Sequence, residues 1–510
     1  MNRSIRNIAR LFSIARILAR HDALMTLERL EIGGPAVFVA RLFSRRAKGR
    51  PGQRLAAALQ EAGPSFIKLG QALSTRSDLL GEEFSNDLSQ LQDSLPPFPG
   101  HQARATIEAE FGRPVDELFA EFDDKPIAAA SIAQVHFAVT HDGREVAVKV
   151  LRPNIEEAFQ KDIDLFFWIA ELVQAAKPEL RRLRPVETVR TLAKTIEMEM
   201  NLRFEAAASA ELNENLADVD YFMVPAIDWR LTGQRVLTTE RVNGTPIDDI
   251  AALRAAGHDT NDLLEKSAGA FFLQVFRDGF FHADMHPGNL FVLEDGNLAG
   301  VDYGIMGRLD TKTRRHLGEL LLAFLTRDFR RAAEVHFEAG WIPADQSVDT
   351  FTQACRSIAE PILDLPQNEI SIARLLGQLF SITKTFNMET QPQLLLLQKT
   401  MLTAEGTGRK LNPEANMWVM ARPMIEGWVI EHLGPEARLI EATGDIAGAV
   451  RRLPRLMENL DRGAAQLAEG RVRLHPETIR ALKGESRFAL GPVSYMALGG
   501  LIVILLVLAF

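Results

Sequence analysis

The stretch Phe281-His-Ala-Asp284-Met-His286-Pro-Gly-Asn289-Leu-Phe-Val292, followed by Ala299-Gly-Val-Asp302-Tyr303-Gly304, decides how this chain is read. Asp284 and Asn289 stand five residues apart, and Asn289 and Asp302 thirteen. A loop carrying Asp284, then a short hairpin, then Asp302 would bring all three side chains to one cleft. Asn289 and Asp302 offer the hard oxygen donors that Mg²⁺ requires, and Asp284 offers a carboxylate to orient or deprotonate a nucleophile. Phosphoryl transfer needs this set.

Such a site also needs a cation for nucleotide phosphates. Val146-Ala-Val-Lys149-Val places one on an apolar, strand-like run. An acidic side chain from a helix must then hold the ammonium in place. Glu199-Met-Asn-Leu-Arg-Phe-Glu205 offers two candidates, of which Glu205 is assigned to the ion pair and Glu199 to a second role. Protein kinases set their catalytic Asp, metal-binding Asn and DFG Asp at the spacings seen here, with the Lys on an upstream strand. Asp302-Tyr303-Gly304 stands at the DFG position.

Kinases cover the phosphates with a glycine-rich turn. Here the corresponding stretch is Ile127, Ala128, Ala129, Ala130, Ser131, Ile132, Ala133, Gln134 and Val135, with no glycine. Alanine does not take positive φ cheaply, so the loop is expected to be stiff. The Ser131 hydroxyl and backbone N–H groups at a helix start are its expected anion donors. No G-x-x-x-x-G-K-[ST] or G-x-G-x-x-G occurs, which excludes P-loop and dinucleotide-binding readings.

Outward from the site, 510 residues allow two to four domains. With 46% apolar and 25% charged residues, disordered and fibrous classes are excluded. The single cysteine, Cys355, excludes an internal disulfide and any multi-Cys metal site. The net charge of −9 argues against a nucleic-acid partner, yet residues 1–50 carry ten Arg and one Lys against three acids, +8, leaving −17 for the rest.

The pattern gives a basic N-terminal segment over 1–50 and a helical extension over 51–125, broken at Pro96-Pro-Phe-Pro-Gly100. A small β-containing lobe covers 126–243, a larger helical lobe 244–430, and a helical tail 431–487. Within the small lobe, Phe137–Thr140 and Glu145–Leu151 read as a hairpin, and Arg235–Glu240 as a further strand. Beyond residue 260 one strand–loop–strand module is expected, at 289–304. In the extension, Lys68, Gln71, Thr75 and Asp78 share one helix face, with Phe66, Leu69 and Leu73 on the packing side. From pattern alone that polar face would be solvated.

Both ends point to a membrane. Phe488–Phe510 has 23 residues and no charge, enough for a helix of about 35 Å to cross a hydrocarbon core of about 30 Å. The basic residues before it place the bulk of the chain in the cytoplasm. Residues 3–20 form an amphipathic helix with Ile5, Ile8, Leu11, Phe12, Ala15 and Leu18 on one side and Arg3, Arg6 and Arg10 opposite. It is suited to anionic lipid or to the protein's own surface.

Together these residues resemble the UbiB family of atypical kinase-like proteins, which are required for ubiquinone biosynthesis. The resemblance spans roughly 55–310. It rests on the K-x-G-Q signature at Lys68, Gly70 and Gln71, the alanine-rich loop, Lys149, Glu199 with Glu205, Asp284, Asn289 and Asp302. It implies an α+β, two-lobe protein-kinase-like fold with an N-terminal helical extension and a C-terminal transmembrane helix. It implies binding of ATP or ADP with Mg²⁺, with Lys68 and Gln71 of the extension facing the nucleotide, Asp284 as catalytic group, and Asn289 and Asp302 as metal ligands. Activity as an ATPase or small-molecule kinase follows, since the extension would block a polypeptide; a nucleotide-gated lipid-binding scaffold with little turnover is the alternative. The implied setting is the bacterial inner membrane, with a single-pass C-terminal anchor. The implied partners are membrane lipid, polyprenyl-phenol quinone precursors, other quinone-biosynthesis proteins and a second copy of the chain. Tyr303 departs from the usual Phe, a change not expected to affect metal binding.

Overall fold

The computed structural model describes residues 3–23, 48–74, 95–176, 185–363, 371–381 and 391–414, with single positions near 84–91, 385–388 and 423–428. Thr75, Asp78, the expected tail and the expected span over 488–510 lie outside the described residues. Among the described residues, no helix is long and apolar enough to cross a membrane.

The extension is built from α1 (Arg3–Arg20), α2 (Pro51–Ala62) and α3 (Pro64–Ser74). Past the proline-rich break come α4 (Gly100–Phe111) and α5 (Val115–Leu118), then β1 (Glu121–Phe122), β2 (Ala128–Ala129), β3 (Ala133–Val139) and β4 (Glu145–Leu151). Helices α6 (Ile155–Ala176), α7 (Pro185–Glu199) and α8 (Leu202–Asn215) lead to β5 (Phe222–Met223) and β6 (Val236–Glu240).

Strands β3 and β4 form the expected hairpin, turning at Gly143, whose φ of 84° suits glycine. β6 lies antiparallel on the far side of β4, while β1 and β2 share the outer edge of β3. Along β4 the side chains alternate. Val146, Val148 and Val150 are buried against Ala103, Ile107, Val115 and Leu118. Ala147 and Lys149 therefore face the opposite way, into the cleft. Helices α4 and α5, expected within the extension, thus back the sheet of the small lobe instead.

The larger lobe starts at β7 (Thr245–Pro246), α9 (Ile250–Ala255) and α10 (Thr260–Phe272). α10 runs into a π-helical turn, Leu273–Asp278, closed by Gly279 at φ 66°. Then follow β8 (Phe280–His282), β9 (Leu290–Val292), β10 (Leu298–Gly300) and β11 (Met306–Arg308). β9 and β10 form the hairpin expected between Asn289 and Asp302, flanked by β7 and, in parallel, by β5. β8 and β11 pair with each other as well, Met306 opposite His282. That pair was not expected, because three-residue strands carry too little alternation to be seen.

Among the described residues, α11 (Thr311–Leu325) and α12 (Phe329–Glu338) complete the lobe, and α13 (Val348–Leu363), α14 (Ile372–Ser381) and α15 (Pro392–Leu411) form a helical unit packed on it. One apolar cluster runs from Leu212 of α8 through Phe271, Phe281 and Phe324 to Leu397 and Met401 of α15. The helical unit therefore shares its core with the lobe beneath it. Cys355 is buried in that core, where burial pushes its thiol up to about 12.

Helix α1 docks on the protein itself. Leu11, Ile14, Ile17 and Leu18 are buried with α2, α3 and α6. Arg3 and Arg6 reach Asp164 at 2.8 and 2.5 Å, and Arg10 reaches Asp162 at 2.8 Å. These ion pairs turn the helix, so the buried face is shifted from the expected one and Ile8 and Phe12 stay exposed.

Candidate active site

The loop from β8 to β9 is fixed from beneath. The Gln274 side chain, offered by the π-helical turn, accepts the His282 N–H at 3.0 Å. His282 Nδ1 accepts the Asp284 N–H at 3.2 Å, and its Nε2 meets the Val301 carbonyl at 3.1 Å. These contacts suit a neutral ring with the proton on Nε2, and burial lowers its pKa in agreement. One imidazole thereby joins the Asp284 loop to the strand leading into Asp302. Asn289 Nδ2 donates to the Asp284 carbonyl at 3.1 Å, and the Asn289 carbonyl accepts the Val301 N–H at 2.9 Å. Asp302 itself sits at φ 61°, a strained conformation for a non-glycine residue.

Lys149 Nζ lies 2.8 and 2.9 Å from the two Glu205 oxygens and 2.7 Å from Asp302 Oδ1. Burial opposes the ammonium's charge, but Asp302 and Glu205 outweigh it and raise its pKa. Burial pushes the Glu205 carboxyl up to about 7; Lys149 opposes the shift and Asp302 adds to it. For Asp302 burial is again outweighed, here by Lys149, and the carboxyl stays below its usual range. One ammonium thus serves two carboxylates, and Asp302 holds the charge more firmly.

Glu199 and Glu205 do not share a helix. Glu199 ends α7, and Asn201 caps α8 by accepting the Arg203 N–H. The break sends Glu199 to Lys68, 2.9 Å away. Lys68 is only 8% exposed, so the described part of the face that pattern alone reads as solvated is turned into the cleft. Gln71 lines the same cleft, and its Oε1 is buried with no hydrogen-bond partner among the described residues.

The alanine-rich stretch is not a helix start. It is a tight β2–β3 hairpin, with Ala128 opposite Val135 and Ala129 opposite Gln134. The Ile127 and Ala130 N–H groups are spent on Val135 and Ala133 carbonyls. Ile127, Ala128, Ala129, Ala130, Ile132, Ala133 and Val135 line the cleft. Ser131 and Gln134 do not: both are buried, and the period of two turns Gln134 to the back of the sheet, where it bonds the Phe98 backbone at 3.0 and 3.1 Å. Arg152, which the sequence reading did not single out, braces the hairpin by donating to the Ala130 carbonyl at 2.8 and 3.0 Å.

The cleft between the lobes has a volume of about 1930 Å³ and is lined by Asp284, Asn289, Asp302, Lys149, Lys68 and Glu199 together. Among the described residues no group of three or more His, Cys, Asp or Glu side chains forms a metal cage. Mg²⁺ needs none, since it binds through one or two protein oxygens plus phosphates and water. Asn289 and Asp302, facing one cavity from adjoining loops, fit that mode.

The helical unit also reaches the site. Lys399 of α15 points its Nζ at Asp284 Oδ1, 3.3 Å away, and the Thr400 hydroxyl donates to the Ala283 carbonyl at 3.0 Å. Sequence reasoning missed both. The available signal was a Gln398-Lys399-Thr400 triplet interrupting the apolar run Leu394–Leu397.

Comparison with known proteins gives the family. Residues 90–336 match the ABC1 atypical kinase-like domain, and residues 355–416 match the UbiB helical domain. A protein of Marinobacter nauticus described as a probable protein kinase UbiB is 40% identical over 512 residues, covering 97% of this chain and 93% of its own. One of the same description from Aeromonas hydrophila is 46% identical over 391 residues, covering 76% and 72%. Among solved structures, a Mycobacterium tuberculosis protein in complex with erythromycin aligns with a TM-score of 0.50 at 24% identity, covering 69% of this chain and 90% of its own, a likeness of fold alone. With its kinase-like α+β fold and both of these domains in order, the chain belongs to the UbiB family.

Proposed function

We propose that this protein binds ATP with Mg²⁺ in the cleft and turns it over, by hydrolysis or by transfer to a small molecule, in support of ubiquinone biosynthesis. The observation that carries the reading is the contact of Lys149 with both Glu205 and Asp302 inside the cleft that holds Asp284 and Asn289. Lys149 binds nucleotide phosphates while Glu205 orients it. Asp302 and Asn289 hold Mg²⁺, which supplies neutralising charge to the phosphates. Asp284 positions the nucleophile and accepts its proton.

A small acceptor suits the site better than a polypeptide, because Lys68 and Gln71 of the extension occupy one wall of the cleft. The same cleft is rimmed by exposed apolar side chains, Ile127, Met198, Phe204 and Leu402. That rim suits an apolar body, such as a polyprenyl-phenol quinone precursor or a membrane lipid. It also supports the second reading, a nucleotide-gated lipid-binding scaffold with little turnover. The membrane placement read from residues 488–510 belongs to this proposal.

The test is Mg-ATP titration and phosphate release with Asp302→Asn and Asp284→Asn, with liposomes present. Asp302→Asn is expected to abolish Mg-dependent nucleotide binding; unchanged affinity would remove the metal assignment. Asp284→Asn is expected to keep binding and lose turnover. If it instead restores quinone synthesis in a deficient strain while wild-type turnover stays at background, the scaffold reading stands.

A further inference from the structure

We propose that Lys399, carried by the helical unit and not by either kinase-like lobe, contacts the terminal phosphate of the nucleotide, so that α15 is part of the catalytic centre. This rests on the nucleotide reading above. Of the cleft's other cations, Lys149 is held by Glu205 and Asp302, and Lys68 by Glu199. Arg241 lies over the Phe137 ring and pairs with Glu145. Arg374 of α14 also lines the cleft, with its backbone N–H on the Ser371 hydroxyl, but among the described residues Lys399 is the lysine or arginine in contact with Asp284, the group assigned to the reacting end of the nucleotide.

Its side chain has room to move. The contact with Asp284 is 3.3 Å, looser than the 2.7–2.9 Å contacts of Lys149. Both side chains face the open cleft, 25% and 31% exposed. The backbone beneath is fixed: Thr400 is buried and bonded to Ala283, and Leu397 and Met401 lie in the main core. The register of α15 is thereby set, and only the flexible Lys399 stem is left to adjust.

In transfer, the bond between the γ-phosphorus and the bridging oxygen breaks and ADP leaves with that oxygen. A new bond forms from the γ-phosphorus to the oxygen of water or an acceptor hydroxyl, whose proton passes to Asp284 and then to solvent. Lys399 offsets the charge on the moving phosphoryl oxygens, while its contact with Asp284 holds that carboxylate in line. A cation at this end distinguishes ATP from ADP; one on the α- and β-phosphates does not.

The experiment compares Lys399→Met and Lys399→Arg in the full-length protein, by calorimetric titration with Mg-ATP and Mg-ADP and by phosphate release. Lys399→Met is expected to weaken ATP by about tenfold or more, leave ADP within about twofold, and slow phosphate release by at least about a hundredfold. Lys399→Arg should restore most of the preference for ATP. Wild-type preference and turnover in Lys399→Met would overturn the proposal, as would equal loss of both nucleotides, which marks a structural role. Absence of Mg-ATP binding by the wild type removes the underlying nucleotide reading, and is seen before any variant is compared.

Discussion

Lys149 bridges two carboxylates with one ammonium, so its loss leaves both without a counter-charge from that side. In Lys149→Met, Glu205 and Asp302 would face each other with no ammonium between them. Glu205, already pushed to about 7 by burial, would lose the ammonium that opposes that shift and take up a proton. Mg-ATP affinity is expected to fall by at least about tenfold, read by titration, with the fold intact by circular dichroism. A second residue-scale prediction concerns acid stability. His336 is buried among Trp341 and Phe351, its Nδ1 2.7 Å from the Ala332 carbonyl, and burial lowers its pKa to about 4. The unfolded chain binds the proton near 6.5. Stability from a neutral His336 is therefore complete above about pH 6.5 and is lost as pH falls toward 4. Between pH 7 and pH 5 the loss is about 2 kcal/mol. His336→Gln should flatten that part of the urea-midpoint profile; a slope equal to wild type would show that other groups set it.

At the scale of elements, the short strands that no pattern revealed carry the site. Gly307 of β11 pairs with Phe281 of β8, and a Cβ at Gly307 would lie 2.1 Å from Cζ of the buried Phe281 ring. Gly307→Ala is expected to force the strands apart, at about 1–3 kcal/mol, and to displace His282 with the Asp284 loop. Thermal unfolding and phosphate release should both drop, and an unaltered melting temperature would refute the packing argument. This element shows what was legible in the sequence. Asp284, Asn289 and Asp302 were readable because their spacing is local and the chemistry demands those donors. Lys149 was readable from the alternation of β4, seven residues long. β8 and β11 were not, since three residues fix no period. Which side chains of the alanine-rich stretch face the cleft was not legible, because hairpin pairing sets it: Gln134 turns to the back of the sheet and Ser131 is buried. Lys399 was missed for another reason: a polar triplet in an apolar run marks it, but it meets Asp284 across 115 residues of chain.

At the scale of the whole molecule, α6 is the beam through which the extension is tied to the kinase-like lobes. Its first half buries Ile155 and Phe159 under the small lobe, and its middle buries Leu165, Phe166, Ile169 and Ala170 against α1, α2 and α3. Phe66 of α3 meets Phe166 edge to face at 5.3 Å, and the Arg10 guanidinium lies over the Phe66 ring. Two residues beyond Phe66, Lys68 reaches Glu199. The extension thus has a core separate from those of the two lobes, joined to them, among the described residues, through α6, through Val189 and Leu192 of α7 and through the Lys68–Glu199 ion pair inside the cleft. Phe66→Ala should cost about 3–5 kcal/mol, and because that core is separate the cost falls on the extension first. Hydrogen exchange is expected to quicken in α1, α2, α3 and the middle of α6, while β3 and β4 keep wild-type protection. With α3 loosened, Lys68 leaves Glu199 and the cleft opens on that wall, so nucleotide exchange should quicken without loss of the Lys149 contacts. A uniform rise in exchange over both lobes would instead mean that extension and lobes unfold as one unit, and α6 would be a shared core helix with no separable load on either side.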